Sequence, residues 1–225
     1  MTIVAALVSV LLGASPTCSS VSPTGVRPGT TASLTFRGER LADAVDLVLD
    51  DASMRLVSID ATEAGKVDAT IEVLPTCATG LYPVRVRTAT GLSNMCVLSV
   101  APYPLVGEVE PNDTIETATP IEVGVTVTGV ALLEDADCFR VDLAEAGRLT
   151  VELEGMRLGA AFDPSFVVFD ASGFEVTSSD DDPLLRQDPC ASVMLDAGVY
   201  TILVRESAYR GNGGCRYRLH VSGDA

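Results

Sequence analysis

Apolar and polar residues alternate in short runs along the chain, and no long segment repeats its apolar residues with the period of a helix. Glycine, proline, asparagine and aspartate separate the runs at short intervals. The predicted strands are 32–36, 45–49, 67–74, 82–87 and 96–100, then 125–131, 139–143, 149–153, 166–170, 174–177, 192–195, 200–205 and 216–221. This pattern predicts an all-β protein, an immunoglobulin-like sandwich followed by a jelly-roll-like β-sandwich.

A proline-rich stretch, APYPLVGEVEP, divides the two groups of predicted strands. Proline stiffens the chain and is frequent in linkers, and 225 residues are enough for two small domains. The sequence therefore predicts a signal peptide and N-terminal segment at 1–19, an immunoglobulin-like domain at 20–101, a linker rich in proline and glutamate at 102–112, and a second β-sandwich at 113–225.

The N-terminus carries an uncharged apolar run, Ile3–Leu12, followed by the small residues Gly13, Ala14 and Ser15. The run has the length of a signal-peptide core and is short for a membrane span, although no basic residue precedes it. The alternatives are an apolar N-terminal strand and a start codon chosen too far downstream. We predict that the protein is secreted or located in the periplasm or at the cell surface, with no membrane insertion after removal of the signal.

The six cysteines lie far apart, and no pair has the C-x-x-C spacing of a zinc or thioredoxin-type site. Thiols of exported proteins are commonly oxidised, so export predicts disulfide bonds. The preferred pairs are Cys77–Cys96 and Cys190–Cys215, with Cys18 and Cys138 left open.

Acidic residues outnumber basic residues by 31 to 15, which gives a formal charge of −16. Nucleic acids and anionic membranes attract basic surfaces, so this balance argues against both as partners. Divalent cations fit an acidic surface better. A soluble secreted protein without any such ligand would have the same composition.

Four motifs of the second half occur in a characteristic order. They are EVEPND at 108–113, DADCF at 135–139, AG at 146–147 and GVYTILV at 198–204. In this order they resemble the bacterial pre-peptidase C-terminal domain, over about residues 105–223. The family often has an aromatic residue where this chain has Cys138. The stretch VSPTGVRPGTTASLTFRGERLADA resembles the entrance of an immunoglobulin-like domain of the IPT/TIG type, a resemblance that spans roughly residues 20–101.

The stretch GEVEPNDTIETATPI, which begins at Gly107, concentrates carboxylates around one proline. Alternate side chains of an extended segment point the same way, so Glu108, Glu110 and Asn112 are expected on one side, and Asp113 can fold back after the proline. Calcium takes carboxylate and carbonyl oxygens in a flexible shell. The alternative is an exposed acidic linker in which the Asn-Asp pair forms a turn.

The pre-peptidase C-terminal family is similar, in turn, to the collagen-binding domains of bacterial collagenases. Those domains bind calcium through such an acidic linker together with acidic residues of the domain body. The resemblance therefore implies a contribution from Asp135 or Asp137, which open the next acidic turn. The predicted cofactor is calcium, and its candidate ligands are Glu108, Glu110, Asn112, Asp113, Asp135 and Asp137.

Motifs for catalysis are not found in the sequence. His220 is the only histidine and lies within a predicted strand, and neither a G-x-S-x-G elbow nor an H-E-x-x-H motif is present. We therefore predict no enzyme but a secreted binding or accessory module, stabilised by calcium, that contacts an extracellular protein or polymer. The alternatives are an accessory fragment of a secreted peptidase or other hydrolase, and a carbohydrate-binding module.

Overall fold

The computed structural model describes residues 14–224, so the predicted signal core lies outside the described residues. The strands are β1 Thr17–Ser22, β2 Gly25–Val26, β3 Thr30–Glu39, β4 Ala44–Leu49, β5 Met54–Glu63, β6 Lys66–Val73, β7 Gly80–Thr88, β8 Cys96–Val100, β9 Leu105–Gly107, β10 Thr119–Ile121, β11 Val125–Val130, β12 Asp137–Leu143, β13 Gly147–Glu154, β14 Pro164–Asp170, β15 Glu175–Ser179, β16 Cys190–Leu195, β17 Gly198–Glu206 and β18 Arg216–Asp224. Two short 3-10 helices span Ile115–Thr117 and Met156–Leu158. The predicted all-β sandwich fold is confirmed.

Strands β1–β8 form what we call the N-terminal sandwich, with sheets of order β1-β3-β6-β5 and β2-β8-β7-β4. The relation between sequence and burial is clearest in β6, KVDATIEV, where burial follows the alternation of the sequence strictly. Val67 and Ile71 are completely buried, whereas the residues between the apolar positions are partly exposed. Alternate side chains of a strand point to opposite faces, so this sequence can cover only one side of a core.

Strands β9–β18 form the C-terminal sandwich, with sheets of order β10-β12-β17-β14-β15 and β16-β13-β18-β11-β9. Its core is separate from that of the N-terminal sandwich and includes Phe139, Phe166 and Tyr217. Among the described residues, no helix is both long enough and apolar enough to cross a membrane.

Five strands, β1, β2, β5, β9 and β10, have no counterpart among the predicted strands, and β9 and β5 show two of the reasons. Leu105–Gly107, within the predicted linker, is an edge strand that pairs in parallel with β11. β5 was not predicted because its register with β6 shifts between Leu56 and Ser58 and again between Asp60 and Glu63. A bulge adds an unpaired residue, which breaks the two-residue period that the sequence analysis relied on.

The two sandwiches meet around Arg218, a completely buried residue of β18. Its Nη1 donates a hydrogen bond to the main-chain oxygen of Ser99 in β8 (3.1 Å) and lies 3.7 Å from Glu154 Oε2. Ser99 Oγ donates to Glu154 Oε1 (3.1 Å). A Cβ at position 25 would overlap the Arg218 guanidinium, so only glycine fits at Gly25 while the arginine keeps this position.

All six cysteines are free thiols in the structure, so neither of the two preferred disulfide bonds is present. Cys96 lies against Cys18, with 2.6 Å between their sulfur atoms, rather than against Cys77. Cys190 begins β16 and Cys215 directly precedes β18, and β13 runs between those two strands. Strands two positions apart are separated by about 10 Å, which is beyond the reach of a disulfide.

Candidate metal centre

Glu108 directly follows β9 and lies across the neighbouring strand β11. Its N–H donates to Thr128 O (3.1 Å), and its Oε1 accepts the N–H of Val130 (2.9 Å). Gly129, between those two residues, makes the approach possible because a Cβ there would overlap Glu108 Oε2 and the Tyr217 ring. A glycine inside a strand often marks such a close approach. The first carboxylate is therefore held by the backbone of the C-terminal sandwich.

Asn112 connects the acidic segment to the start of β12. Its N–H donates to Glu110 Oε2 (3.1 Å), and its main-chain oxygen accepts the N–H of Cys138 (2.9 Å). Its side chain is completely buried, and neither atom of its amide has a hydrogen-bond partner among the described residues. The segment thus comes next to Asp137, the first residue of β12.

Three carboxylates converge at this point. Ligand oxygens of Glu108, Glu110 and Asp137 all lie within 4.8 Å of one another. The Tyr217 hydroxyl is 2.7 Å from Asp137 Oδ2 and 3.0 Å from Glu108 Oε2. A tyrosine hydroxyl has one proton and can donate it to one of these oxygens at a time. Asp137 Oδ1 is buried and has no hydrogen-bond partner within residues 14–224.

Burial and mutual repulsion make the charged state of this group costly. Loss of hydration raises the pKa of Asp137 to about 8, reinforced by the charges of Glu108, Asp135 and Glu110 and opposed by the Tyr217 hydroxyl. Burial also raises the pKa of Glu108, although hydrogen bonds from Val130 and Tyr217 work in the opposite direction. Such a site favours either a bound proton or a bound cation.

The other two candidate carboxylates lie outside this group of three. Asp113 is exposed, next to the buried Asn112. The oxygens of Asp135 accept hydrogen bonds from the N–H groups of Leu132 (2.8 Å) and Ala136 (3.1 Å), so this carboxylate closes its own turn. Its negative charge still contributes to the raised pKa of Asp137.

Sequence reasoning missed Tyr217 and Gly129 as parts of the site. The Tyr217 ring packs in the core, stacked on Phe162 with 6.1 Å between ring centroids. Its hydroxyl, however, reaches from the core to the carboxylates. The position of Gly129 inside an apolar strand was a usable signal for a close approach.

His220 also has an unexpected environment, between the sandwiches. Its Nδ1 lies 2.8 Å from Thr126 Oγ1 and its Nε2 lies 3.1 Å from Glu154 Oε2. The order hydroxyl, imidazole, carboxylate is that of a catalytic triad, which requires a nucleophile that a substrate can reach. Thr126 is 0% exposed, so this arrangement serves as a buried polar connection.

No family model and no curated protein matches the chain. Among solved structures, the pre-peptidase C-terminal domain of a Bacillus anthracis collagenase is similar over 51% of this chain and 100% of its own, at 15% identity and a TM-score of 0.40. The SGBP-B of a Bacteroides ovatus mixed-linkage glucan utilization locus, in complex with a heptasaccharide, is similar over 92% of this chain and 74% of its own, at 11% identity and a TM-score of 0.33. SGBP-B of a Bacteroides uniformis xyloglucan utilization locus is similar over 93% and 73%, at 14% identity and a TM-score of 0.30. No function is transferred at these levels of similarity.

Proposed function

We propose that the protein is a non-catalytic binding or accessory module in which a calcium ion fixes the segment after β9 to the C-terminal sandwich. Glu108, Glu110 and Asp137 would hold the ion, and the amide oxygen of Asn112 is the nearest further candidate ligand in the sequence. The observation that carries the proposal is the convergence of three carboxylates within 4.8 Å. The buried, unpartnered Asp137 Oδ1 and Asn112 amide support it, because buried polar atoms are rarely left unpaired.

The ligand chemistry favours calcium among common cations. All candidate ligands are oxygens, whereas zinc prefers sulfur and nitrogen. Magnesium requires a nearly ideal octahedron, but calcium accepts six to eight oxygens in a flexible arrangement. Three carboxylates on two different chain segments, completed by an amide and water, meet the looser requirement. The competing state has Asp137 protonated and no ion bound.

The non-catalytic part of the proposal rests on the environment of the sole histidine. His220 is engaged by Thr126 and Glu154 in the contact between the sandwiches, and the hydroxyl is inaccessible. Turnover of casein or of a nitrophenyl ester by pure protein, lost on substitution of one serine or one carboxylate, would contradict this part. The partner we propose is an extracellular protein or polymer rather than nucleic acid, in keeping with the charge of −16.

Carbohydrate binding through an aromatic platform is less well supported by this surface. Phe174 and Tyr209 are the exposed aromatic side chains among the described residues, at 72% and 44% exposure. They belong to different loops, and the guanidinium carbon of Arg205 lies 4.5 Å from the centre of the Tyr209 ring. A flat strip of aromatic faces would instead require several such residues side by side.

Calcium is expected to raise the melting temperature of chelator-treated protein. An ion that binds only the folded state stabilises it by about 2.7 kcal/mol at one hundred times its dissociation constant, which corresponds to roughly 5–10 °C. Calorimetric titration and thermal melts measure the effect, with Mg²⁺ as the comparison ion. Glu110→Gln is expected to abolish it. Asp113→Asn, which alters an exposed neighbouring carboxylate, is the matched control. An unchanged melting temperature in millimolar Ca²⁺ would leave the acidic stretch as a linker.

The substitution Gly129→Ala tests the geometry of the site without removing a carboxylate. The new methyl group would displace Glu108 or Tyr217, so we expect a calcium affinity at least tenfold lower, equivalent to about 1.4 kcal/mol. Gly107→Ala is the matched control, because no atom lies within 4 Å of a Cβ built there. Equal calcium affinities of the two variants, measured by calorimetry, would contradict the assigned position of Glu108.

A further inference from the structure

Two cysteines from opposite sheets of the N-terminal sandwich face each other. Cys18 lies in β1, an edge strand of one sheet, and Cys96 begins β8 in the other sheet. Their sulfur atoms are 2.6 Å apart, and both side chains are buried. Non-bonded carbon atoms keep a distance of about 3.5–4.0 Å, and sulfur is larger than carbon. The two thiols are therefore closer than an ordinary packing contact.

The backbone around this pair is held in place by Asn94. Its Oδ1 accepts the N–H of Cys18 (2.8 Å), and its Nδ2 donates to the main-chain oxygen of Cys18 (2.7 Å). Asn94 is two residues before Cys96, so its two hydrogen bonds hold the chain of one cysteine beside the chain of the other. The thiols of Cys77 and Cys215 contact the main-chain oxygens of Ala78 and Ala161, whereas Cys18 Sγ contacts Cys96 Sγ in addition to the main-chain oxygen of Ser20.

We propose that Cys18 and Cys96 form a disulfide bond that covalently joins the two sheets of the N-terminal sandwich. Nothing in this inference depends on calcium, since the pair lies in the other sandwich. The bond would fix the edge strand β1, which otherwise pairs only with β3 within its sheet. It closes a long loop, because the two cysteines are 78 positions apart. Disulfides that close long loops restrict the unfolded chain most.

The chemistry needs a disulfide oxidant, such as glutathione disulfide. In the folded protein, the Cys96 thiol donates to Cys18 Sγ, so the two sulfur atoms are already in contact. Cys96 thiolate attacks the oxidant, forms a mixed disulfide and releases one glutathione thiolate. Cys18 then loses its proton, attacks the Cys96 sulfur and displaces the second glutathione. Two protein thiols are thereby oxidised and one glutathione disulfide is reduced. Because both thiols are buried, the oxidant reaches them before the sandwich has closed.

The test is to refold the full chain in a glutathione redox buffer, block free thiols under denaturing conditions and map the peptides by mass spectrometry without reduction. The expected result is one linked peptide pair that contains Cys18 and Cys96, with the other four cysteines blocked. Blocking of all six cysteines, or a link between any other two, would overturn the proposal.

Thermal melts provide a second readout. A reductant is expected to lower the melting temperature of the refolded wild type by roughly 10 °C and to leave the Cys18→Ala/Cys96→Ala variant unchanged. Cys77→Ala/Cys138→Ala is the matched control and should respond to the reductant as the wild type does. A control that loses the response, or a Cys18→Ala/Cys96→Ala variant that keeps it, would contradict the assigned pair.

Discussion

In calcium-free buffer at pH 8, Asp137→Asn is expected to be more stable than the wild type, by about 3 kcal/mol. At pH 8 the wild-type carboxyl group must either ionise in a buried position beside Glu108 and Glu110 or keep a proton that the unfolded chain has released, whereas the amide of the variant does neither. An amide of nearly the same size can still accept the Tyr217 hydrogen bond. Urea denaturation in the presence of a chelator measures the difference. The control, Asp142→Asn, changes an exposed carboxylate of the same strand and should be nearly neutral.

The difference between the two proteins has a defined pH dependence. Burial raises the pKa of Asp137 from 3.8 to about 8 in the folded state, so the folded protein retains a proton that the unfolded chain has lost. The contribution of this proton to the stability of the wild-type protein is complete below about pH 4 and is lost as the pH rises to about 8. The stability advantage of Asp137→Asn should therefore grow across that interval and level off above it.

Calcium should reverse the order of the two proteins. Saturating Ca²⁺ stabilises the wild type because it neutralises the carboxylates, whereas the variant has lost one charged ligand. Calcium affinity should also fall as the pH is lowered from 8, since the ion must displace a proton from Asp137. If Asp137→Asn were less stable than the wild type even with a chelator at pH 8, the raised pKa assigned to Asp137 would be wrong.

The second large effect is expected at the contact between the sandwiches. Arg218→Met removes the hydrogen bond to Ser99 O and leaves Glu154 without its buried guanidinium neighbour. Breaking a buried ion pair from one side typically costs 3–5 kcal/mol, so we expect a loss of about 3 kcal/mol. Burial opposes ionisation of Glu154, but its pKa lies below the ordinary value because His220, Arg218 and Ser99 outweigh that penalty. The variant removes Arg218, one of the three residues that favour the ionised form of Glu154.

Equilibrium unfolding in urea, followed by limited proteolysis, tests this expectation. We expect the Arg218→Met variant to unfold in two separated steps and to be cleaved between the sandwiches. Arg216→Met is the matched control, because Arg216 lies on the same strand but is exposed. A single transition at the wild-type midpoint for Arg218→Met would show that the arginine does not couple the sandwiches.

The local sequence was sufficient to predict a strand where one face of that strand is buried and its register is regular. In β6, each apolar residue faces the core, and the two-residue period is visible directly. The convergence of Glu108 and Glu110 was also predictable, because residues two apart in an extended segment point the same way. The same rule did not distinguish Asp137, which begins β12, from Asp135, which is bound within the preceding turn.

Contacts between segments far apart in the sequence could not be predicted from local periodicity. Arg218 looked like an ordinary polar residue of an alternating strand, yet it is completely buried against the other sandwich. The proximity of Cys18 and Cys96 likewise depends on how two sheets pack, which periodicity does not specify. The position of the Tyr217 hydroxyl was not predictable from periodicity either, because it depends on how the tyrosine ring packs in the core.

The parallel pairing of β9 with β11 determines how the molecule responds to a pulling force. Once the contact around Arg218 has separated, tension applied from the N-terminal side enters the C-terminal sandwich at the Leu105 end of β9. The hydrogen bond from Thr126 N to Pro104 O would be strained first, and that from Glu108 N to Thr128 O only after it. The edge strand would unzip stepwise toward the acidic cluster. An ion bound there would halt the unzipping before the rest of the sandwich is stretched.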